Sequence, residues 1–295
     1  MRTPLLACLA LALALAPAEA QPARPAPAPA DPAARIVLVT GSTDGLGREL
    51  ARRLAADGAH VIVHGRNEAR GRAVVEEIAK AGKGSARFYA ADFASLAEVR
   101  NLADAISRDY ERLDLLVNNA GIFLRDDRQV SKDGHELTFA VNYLAGYLLT
   151  HRLLPLIEKG RSPRIVNVSS RSAAPIDFAD VMLERGYTGY RAYSQSKLAQ
   201  VMFTVDLAAE LAPRVVVQAV HPATGMDTSM ITSLGMTPRS TVSEGADAVM
   251  HAIATDGPSG SYFLGQTVAA PHAQAADADA RRQLREVSRR LTGLP

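Results

Sequence analysis

Tyr193 and Lys197 stand four residues apart in "AYSQSKLAQ", a spacing that places them one turn apart on the same face of a helix. A phenol has a reference pKa near ~10, too high to act as a base at neutral pH. An ammonium one turn away favours the phenolate and lowers that value, which makes the pair a candidate proton donor and acceptor. The same stretch, "GYTGYRAYSQSK" (186–197), holds Tyr187 and Tyr190, with Arg191 and Ser194 at the equivalent spacing. Lacking the lysine, these two are expected to line a pocket mouth or pack locally. A Tyr and a Lys at this spacing also suit a solvated helix face, so the rest of the chain has to decide.

A second chemical feature is "TGSTDGLG" (40–47), directly after the apolar run "RIVLVT" and opening a helix-periodic stretch. A pyrophosphate must approach backbone N–H groups at a helix N-terminus, and side chains in the turn would block it. Gly41, Gly45 and Gly47 remove those side chains. The strand–turn–helix context makes this a dinucleotide loop, spaced TGxxxGxG rather than GxGxxG. Asp44, an acidic neighbour for a phosphate, is expected to cap the helix. The next strand ends "VIVHGRN", with His64 and Gly65 where a ribose-binding carboxylate would stand and Arg66 following. An arginine there suits a 2′-phosphate, so the expected cofactor is NADP(H), with NAD possible.

These residues need elements to position them. From Ala34 onward, apolar strands alternate with helices: "AHVIVHG", a helix from about Glu68 to Ala81, "ARFYAAD", a helix from Ser95 to Tyr110, and "LDLLVNNAG". A helix after Asp133 follows, then "RIVNVSS", the tyrosine helix and "RVVVQAVHP". Strands apolar throughout, joined by helices, imply an α/β fold: a single doubly wound Rossmann-type domain, its parallel sheet flanked by helices. "GSYFLG" (260–265) could add a last strand. "RRQLREVSRR" (281–290) reads as an amphipathic helix with a solvated arginine face.

Composition narrows the function. The 295 residues carry a net charge of +2, so nothing favours a nucleic-acid partner. The single cysteine, Cys8, leaves no disulfide or thiol nucleophile in the body of the chain, and the seven histidines lack metal-ligand spacing. No metal is expected. "MRTPLLACLALALALAPAEA" (1–20) has the charged start, apolar run and Ala-x-Ala end of a secretory signal, too short for a stable membrane span. A Pro/Ala-rich linker (21–33) follows, and 34–295 is the expected NAD(P)-binding catalytic domain. The leader points to an exported, periplasmic protein; the NADP(H) pool argues for the cytoplasmic alternative.

In combination, "TGSTDGLG", "AD" (91–92), "NNAG" (118–121), "AVNYLAG", "VNVSS" (166–170) and "YSQSK" (193–197) closely resemble the short-chain dehydrogenase/reductase family, from about Ile36 to Thr228. "AYSQSKLAQ" and the C-terminal stretch are similar to its retinol-dehydrogenase-like branch. The resemblance implies hydride transfer between nicotinamide and a carbonyl or alcohol, with Tyr193 as general acid/base, Lys197 its partner, Ser170 holding the substrate oxygen and Asn142 as relay. Ser170 also ends a sheet strand at its carboxyl end, where open α/β folds bind ligands. The implied cofactor cleft takes in Gly41, Thr43, Gly45, Leu46 and Gly47 of the loop, Arg66, then Asp92 with Phe93 at the adenine. It continues through Asn119, Ala120 and Gly121 to Tyr193, Lys197, Pro222 and Thr224.

One departure is "HPATGMDT" (221–228), with Ala223 where the family has Gly and one extra residue before Thr228, which leaves Thr224 and Thr228 as rivals for the nicotinamide. The Met- and Leu-containing segment after it is the expected substrate lid. It favours an apolar carbonyl or alcohol substrate, and ordinary core packing would ask for the same residues. The resemblance implies a homodimer or homotetramer. The alternatives are a non-catalytic dinucleotide-binding sensor or scaffold, which would need only the glycine loop, and epimerisation or dehydration on the same site.

Overall fold

The computed structural model describes residues 33–125 and 127–295; the expected leader, and the linker up to residue 32, lie outside the described residues. The strands are β1 (Ile36–Val39), β2 (His60–Gly65), β3 (Ser85–Ala90), β4 (Leu115–Asn118), β5 (Arg164–Val168), β6 (Val216–His221), β7 (Tyr262–Leu264) and β8 (Thr267–Ala269). They form one sheet in the order β3-β2-β1-β4-β5-β6-β7-β8, parallel from β3 to β7. Val37 pairs with Val61 on one side and with Leu115 on the other. Alternate residues of a strand face opposite sides, so β1 sends Ile36 and Leu38 into one core and Val37 and Val39 into the other. That double burial is why the strands read as unbroken apolar runs.

Helices α1 (Gly45–Ala56) and α2 (Glu68–Ala81) cover one face. On the other lie α3 (Leu96–Asp109), a short α4 (Leu137–Phe139), a π-helical turn (Ala140–Leu144), α5 (Ala145–Ile157) and α6 (Gly189–Leu211). The segment after β6 holds α7 (Ser229–Thr232) and leads to α8 (Val242–Ala254), which joins the α1 side. Residues α9 (Ala273–Ala276) and α10 (Ala278–Thr292) close the chain. Helix α6 starts at an N-cap, Thr188, whose side chain accepts from Arg191 N at 3.1 Å. Most of its residues are buried, on more than one face, and so it lacks a solvated stripe.

Three features go beyond the expected pattern. "GSYFLG" does supply β7, but Gly265, at φ +62°, turns the chain back into an antiparallel β8 too short to show any alternation. The π-helical turn has no pattern of its own in the sequence. The arginines of α10 are not all solvated: Arg281 and Arg285 pair with Asp206 of α6 at 2.8 and 2.6 Å. On the same helix Ser288 Oγ meets the Tyr143 hydroxyl at 2.8 Å, and Leu284 and Val287 are buried.

Candidate active site

Strands β1, β4 and β5 end on the same edge of the sheet, and their last residues build one cleft where the strand order turns from β1 to β4. Thr40 stitches the first two ends together. Its Oγ1 accepts from Asn119 N at 2.9 Å and Ala120 N at 3.0 Å, while Asn119 Nδ2 donates to the carbonyls of Thr40 at 2.8 Å and Gly41 at 3.2 Å. Asn119 therefore braces the glycine loop rather than turning its amide to the cleft.

The loop passes a fit test for a pyrophosphate. Gly41, at φ +63°, approaches so closely that a Cβ there would stand 2.8 Å from Ala120 Cα, and a Cβ on Gly47 would lie 2.3 Å from the Gly41 carbonyl oxygen. Bare backbone at a helix start is what a phosphate group requires. Leu46 points into the core beneath, and Thr43 packs on Gly65, where a Cβ would be 2.6 Å from its methyl. Asp44 caps α1 as expected, accepting from Gly45 N at 2.8 Å. Its other oxygen accepts from Ser229 Oγ at 2.6 Å and from Arg70 at 3.3 Å, so the carboxylate also ties the loop to α7 and α2.

His64, which the sequence suggested only as the absence of a carboxylate, has a positive role. Its Nδ1 accepts from Gly41 N at 3.2 Å, which puts the proton on Nε2 to donate to the Ala91 carbonyl at 3.2 Å. The ring stacks on Phe93 at 4.3 Å. Burial draws its pKa down to about 4. The folded protein thus keeps His64 neutral where the unfolded chain, with an ordinary value near ~6.5, binds a proton. Stability is full above pH ~6.5 and falls as pH drops toward the folded value, by about 2 kcal/mol at pH ~5 from this group. Urea unfolding at neutral and acidic pH should show that drop, and His64→Gln should flatten it.

Two of the catalytic candidates, Asn142 and Lys197, meet at Gly121. A Cβ at that position would stand 3.4 Å from Asn142 Oδ1 and 3.5 Å from Lys197 Nζ. Asn142 lies in the π-helical turn, a form that recurs at functional sites. It accepts from Ile122 N at 2.7 Å and donates to the Ile122 carbonyl and Ser196 Oγ, both at 3.0 Å, so its amide latches the segment after "NNAG". That segment is squeezed from the other side by Gly189, where a Cβ would be 1.9 Å from the Leu124 carbonyl oxygen. Phe123 is thereby held against the Tyr193 ring, centroids 5.2 Å apart.

Ser170 is near enough to pull the Tyr193 phenol's pKa down, but burial outweighs it and the net direction is up. The lysine does not reverse this: Nζ sits 5.6 Å from the Tyr193 ring centroid, bound to the Val168 carbonyl at 2.9 Å and Gln200 Oε1 at 3.0 Å. Burial draws Lys197 itself down to about 7. Spacing reports proximity and not desolvation, and in this setting desolvation favours the protonated phenol. Ser170 Oγ accepts from Ser172 N at 3.1 Å, and its carbonyl accepts from the Tyr262 hydroxyl of β7 at 3.0 Å. Tyr262 is a supporting residue that sequence reasoning missed.

Other expected positions are more peripheral. Arg66 is exposed at the end of β2. Asp92 is half-buried, its Oδ1 accepting from Ala94 N at 3.0 Å. Pro222 is buried at the end of β6. Thr224 is exposed and turned to His221 Nε2 at 3.1 Å, whereas Thr228 stands beside the glycine loop, 3.0 Å from where a Gly45 Cβ would be. Gly225, at φ +64°, turns the chain between them. Tyr190 is exposed and Tyr187 half-buried, at the start of α6.

The family model for short chain dehydrogenase matches residues 35–238. The chain belongs to this family. Among relatives of this dehydrogenase, polyprenol dehydrogenase of Mus musculus is 36% identical over 287 residues, covering 88% of this chain and 84% of that protein. Retinol dehydrogenase 13 of Mus musculus is 34% identical over 282 residues, covering 88% and 84%. A short chain dehydrogenase of Escherichia coli CFT073 complexed with NADPH superposes with a TM-score of 0.66 at 29% identity, covering 79% of this chain and 97% of that one. The dehydrogenase is thus an NAD(P)-dependent oxidoreductase of CH–OH and C=O groups, in the retinol-dehydrogenase-like branch. Among the described residues, no helix is long and apolar enough to cross a membrane, and no cluster could hold a metal ion.

Proposed function

We propose that this chain reduces an apolar carbonyl compound with NADPH, Tyr193 acting as the acid. The observation that carries the reading is that Asn142 and Lys197 meet at Gly121, with Tyr193 close to both Lys197 and Ser170. When bound, the nicotinamide dinucleotide supplies the hydride. The chain's own residues do the rest. Ser170, its Oγ fixed by Ser172 N, holds the carbonyl oxygen; Tyr193, protonated because burial raises its pKa, delivers a proton to the alkoxide that forms there. Lys197 is the nearby cation that would stabilise the phenolate left behind and would hydrogen-bond the ribose of the bound cofactor.

Three observations support the choice of cofactor, and two more the choice of substrate. β2 ends on His64 and Gly65 with no carboxylate, Arg66 is exposed just after it, and the Escherichia coli relative holds NADPH. Retinol and polyprenol, named in the relatives, are allylic isoprenoid alcohols. None of α7 is buried and Met236 is 51% exposed, so core packing does not account for the apolar residues of the lid. The test is consumption of NADPH with long isoprenoid aldehydes against short polar carbonyls. Faster turnover of the isoprenoids is expected. Cofactor binding without turnover of any compound would favour the sensor, and equal rates on small polar carbonyls would remove the apolar assignment. Arg66→Asp is expected to lower the NADPH-over-NADH preference in kcat/KM by about 10- to 100-fold, the loss of one or two charge-assisted hydrogen bonds; an unchanged ratio overturns NADP specificity.

We read residues 1–20 as a secretory signal, so that the working protein is the catalytic domain from 34 to 295, exported and assembled as a homodimer or homotetramer. N-terminal sequencing of protein from fractionated cells, with light scattering for mass, tests both; an intact Met1 in the cytosol overturns export.

A further inference from the structure

The Lys197 ammonium is gripped from behind the cleft by a residue with no part in the reaction above. Besides the Val168 carbonyl, its partner is Gln200 Oε1 at 3.0 Å, and Gln200 is only 4% exposed. Gln200 is anchored in turn. Its backbone carbonyl accepts from Thr204 Oγ1 at 2.8 Å, Thr204 Oγ1 accepts from Asn167 Nδ2 at 2.8 Å, and Asn167 Oδ1 accepts from Asn118 Nδ2 at 2.9 Å. A buried polar chain therefore links the "NNAG" segment to the lysine through β5 and α6. Two of the three ammonium hydrogens are spent on Val168 and Gln200, which leaves one on the side of Gly121.

We propose that Gln200 is a positioning residue for Lys197: its amide oxygen holds the side chain as an ammonium, with the remaining N–H presented to the cleft. Little else nearby favours the charge. Tyr193 on the same helix is protonated, His221 on β6 is kept neutral by burial, Arg171 after β5 adds a like charge, and Asn142 from the π-helical turn is uncharged. Desolvation pulls the lysine down to about 7, so a single acceptor shifts its protonation within the working pH range.

The proposal rests on the Tyr193–Lys197 reading, and the test separates the two. In full-length protein labelled with 13C-lysine, the Lys197 resonance, identified by its loss in Lys197→Met, is titrated by NMR. Gln200→Met should move the midpoint down, and Gln200→Glu should move it up by about one pH unit or more. The alkaline limb of kcat/KM for carbonyl reduction should follow in the same two directions. Wild-type midpoints in both variants overturn the proposal. Moved midpoints with an unmoved rate profile uphold the Gln200 contact and overturn the catalytic reading of Lys197. Gln200→Asn, which withdraws the amide by one methylene, should also lower the midpoint and decides the matter if a larger change prevents folding.

Discussion

Tyr193→Phe is expected to cut turnover about 10²- to 10⁴-fold, the range for removing a positioned general acid, while leaving NADPH binding in place. The substitution removes one hydroxyl and little else. The ring keeps its contact with Phe123, and Lys197 keeps its acceptors, the Val168 carbonyl and Gln200, neither of which depends on the phenol. The cluster should stay assembled and lack only its proton. Single-turnover reduction, followed by the loss of nicotinamide absorbance, measures the chemical step, and NADPH fluorescence measures binding. A variant retaining more than about a tenth of wild-type turnover would mean that the acid lies elsewhere.

Gly47→Ala should damage cofactor binding far more than its single methyl suggests. The new Cβ would sit 2.3 Å from the Gly41 carbonyl oxygen and 2.5 Å from Asn119 Nδ2, the two groups that define the loop. Backbone and a doubly committed amide cannot yield as a flexible side chain would. Overpacking of this kind costs about 1–3 kcal/mol. If the displacement falls on the loop, that converts to a loss of about 10- to 100-fold in dinucleotide affinity. Gly82→Ala is the control. Gly82 also has a positive φ, +74°, but a Cβ there meets nothing within 4 Å, so it should cost modest stability at the end of α2 and no affinity. Equal affinity losses in the two variants would show that general destabilisation, rather than loop geometry, is being measured.

What was legible in the sequence was local or periodic. The glycine loop announces itself because three side chains are missing just after an apolar strand, and Tyr193 and Lys197 because a helix turns their spacing into proximity. The parallel sheet is readable for the same reason, since strands covered on both faces have no polar alternation to hide them. What was not legible depends on contacts between distant segments. His64 marked a missing carboxylate in the sequence, and only the pairing of β1 with β2 reveals that its ring orients the Gly41 amide. Tyr262 reaches Ser170 across 92 positions because β7 lies beside β6. The sign of the Tyr193 shift depends on burial, which spacing does not report. Thr228, and not Thr224, stands beside the glycine loop, a placement that depends on the left-handed turn at Gly225.

Helix α10 ties the two parts of the cleft together from outside. Ser288 takes the hydroxyl of Tyr143, next to Asn142, while Arg281 and Arg285 hold Asp206 on the helix that carries Tyr193 and Lys197. Leu284 and Val287 add about 1.5–3 kcal/mol each by burial against that flank. Without these contacts, the helix that carries Tyr193 and Lys197 would stand with one flank wet. Proteolytic clipping within 278–292 should accordingly silence the enzyme from a distance, with every residue of the cleft still present.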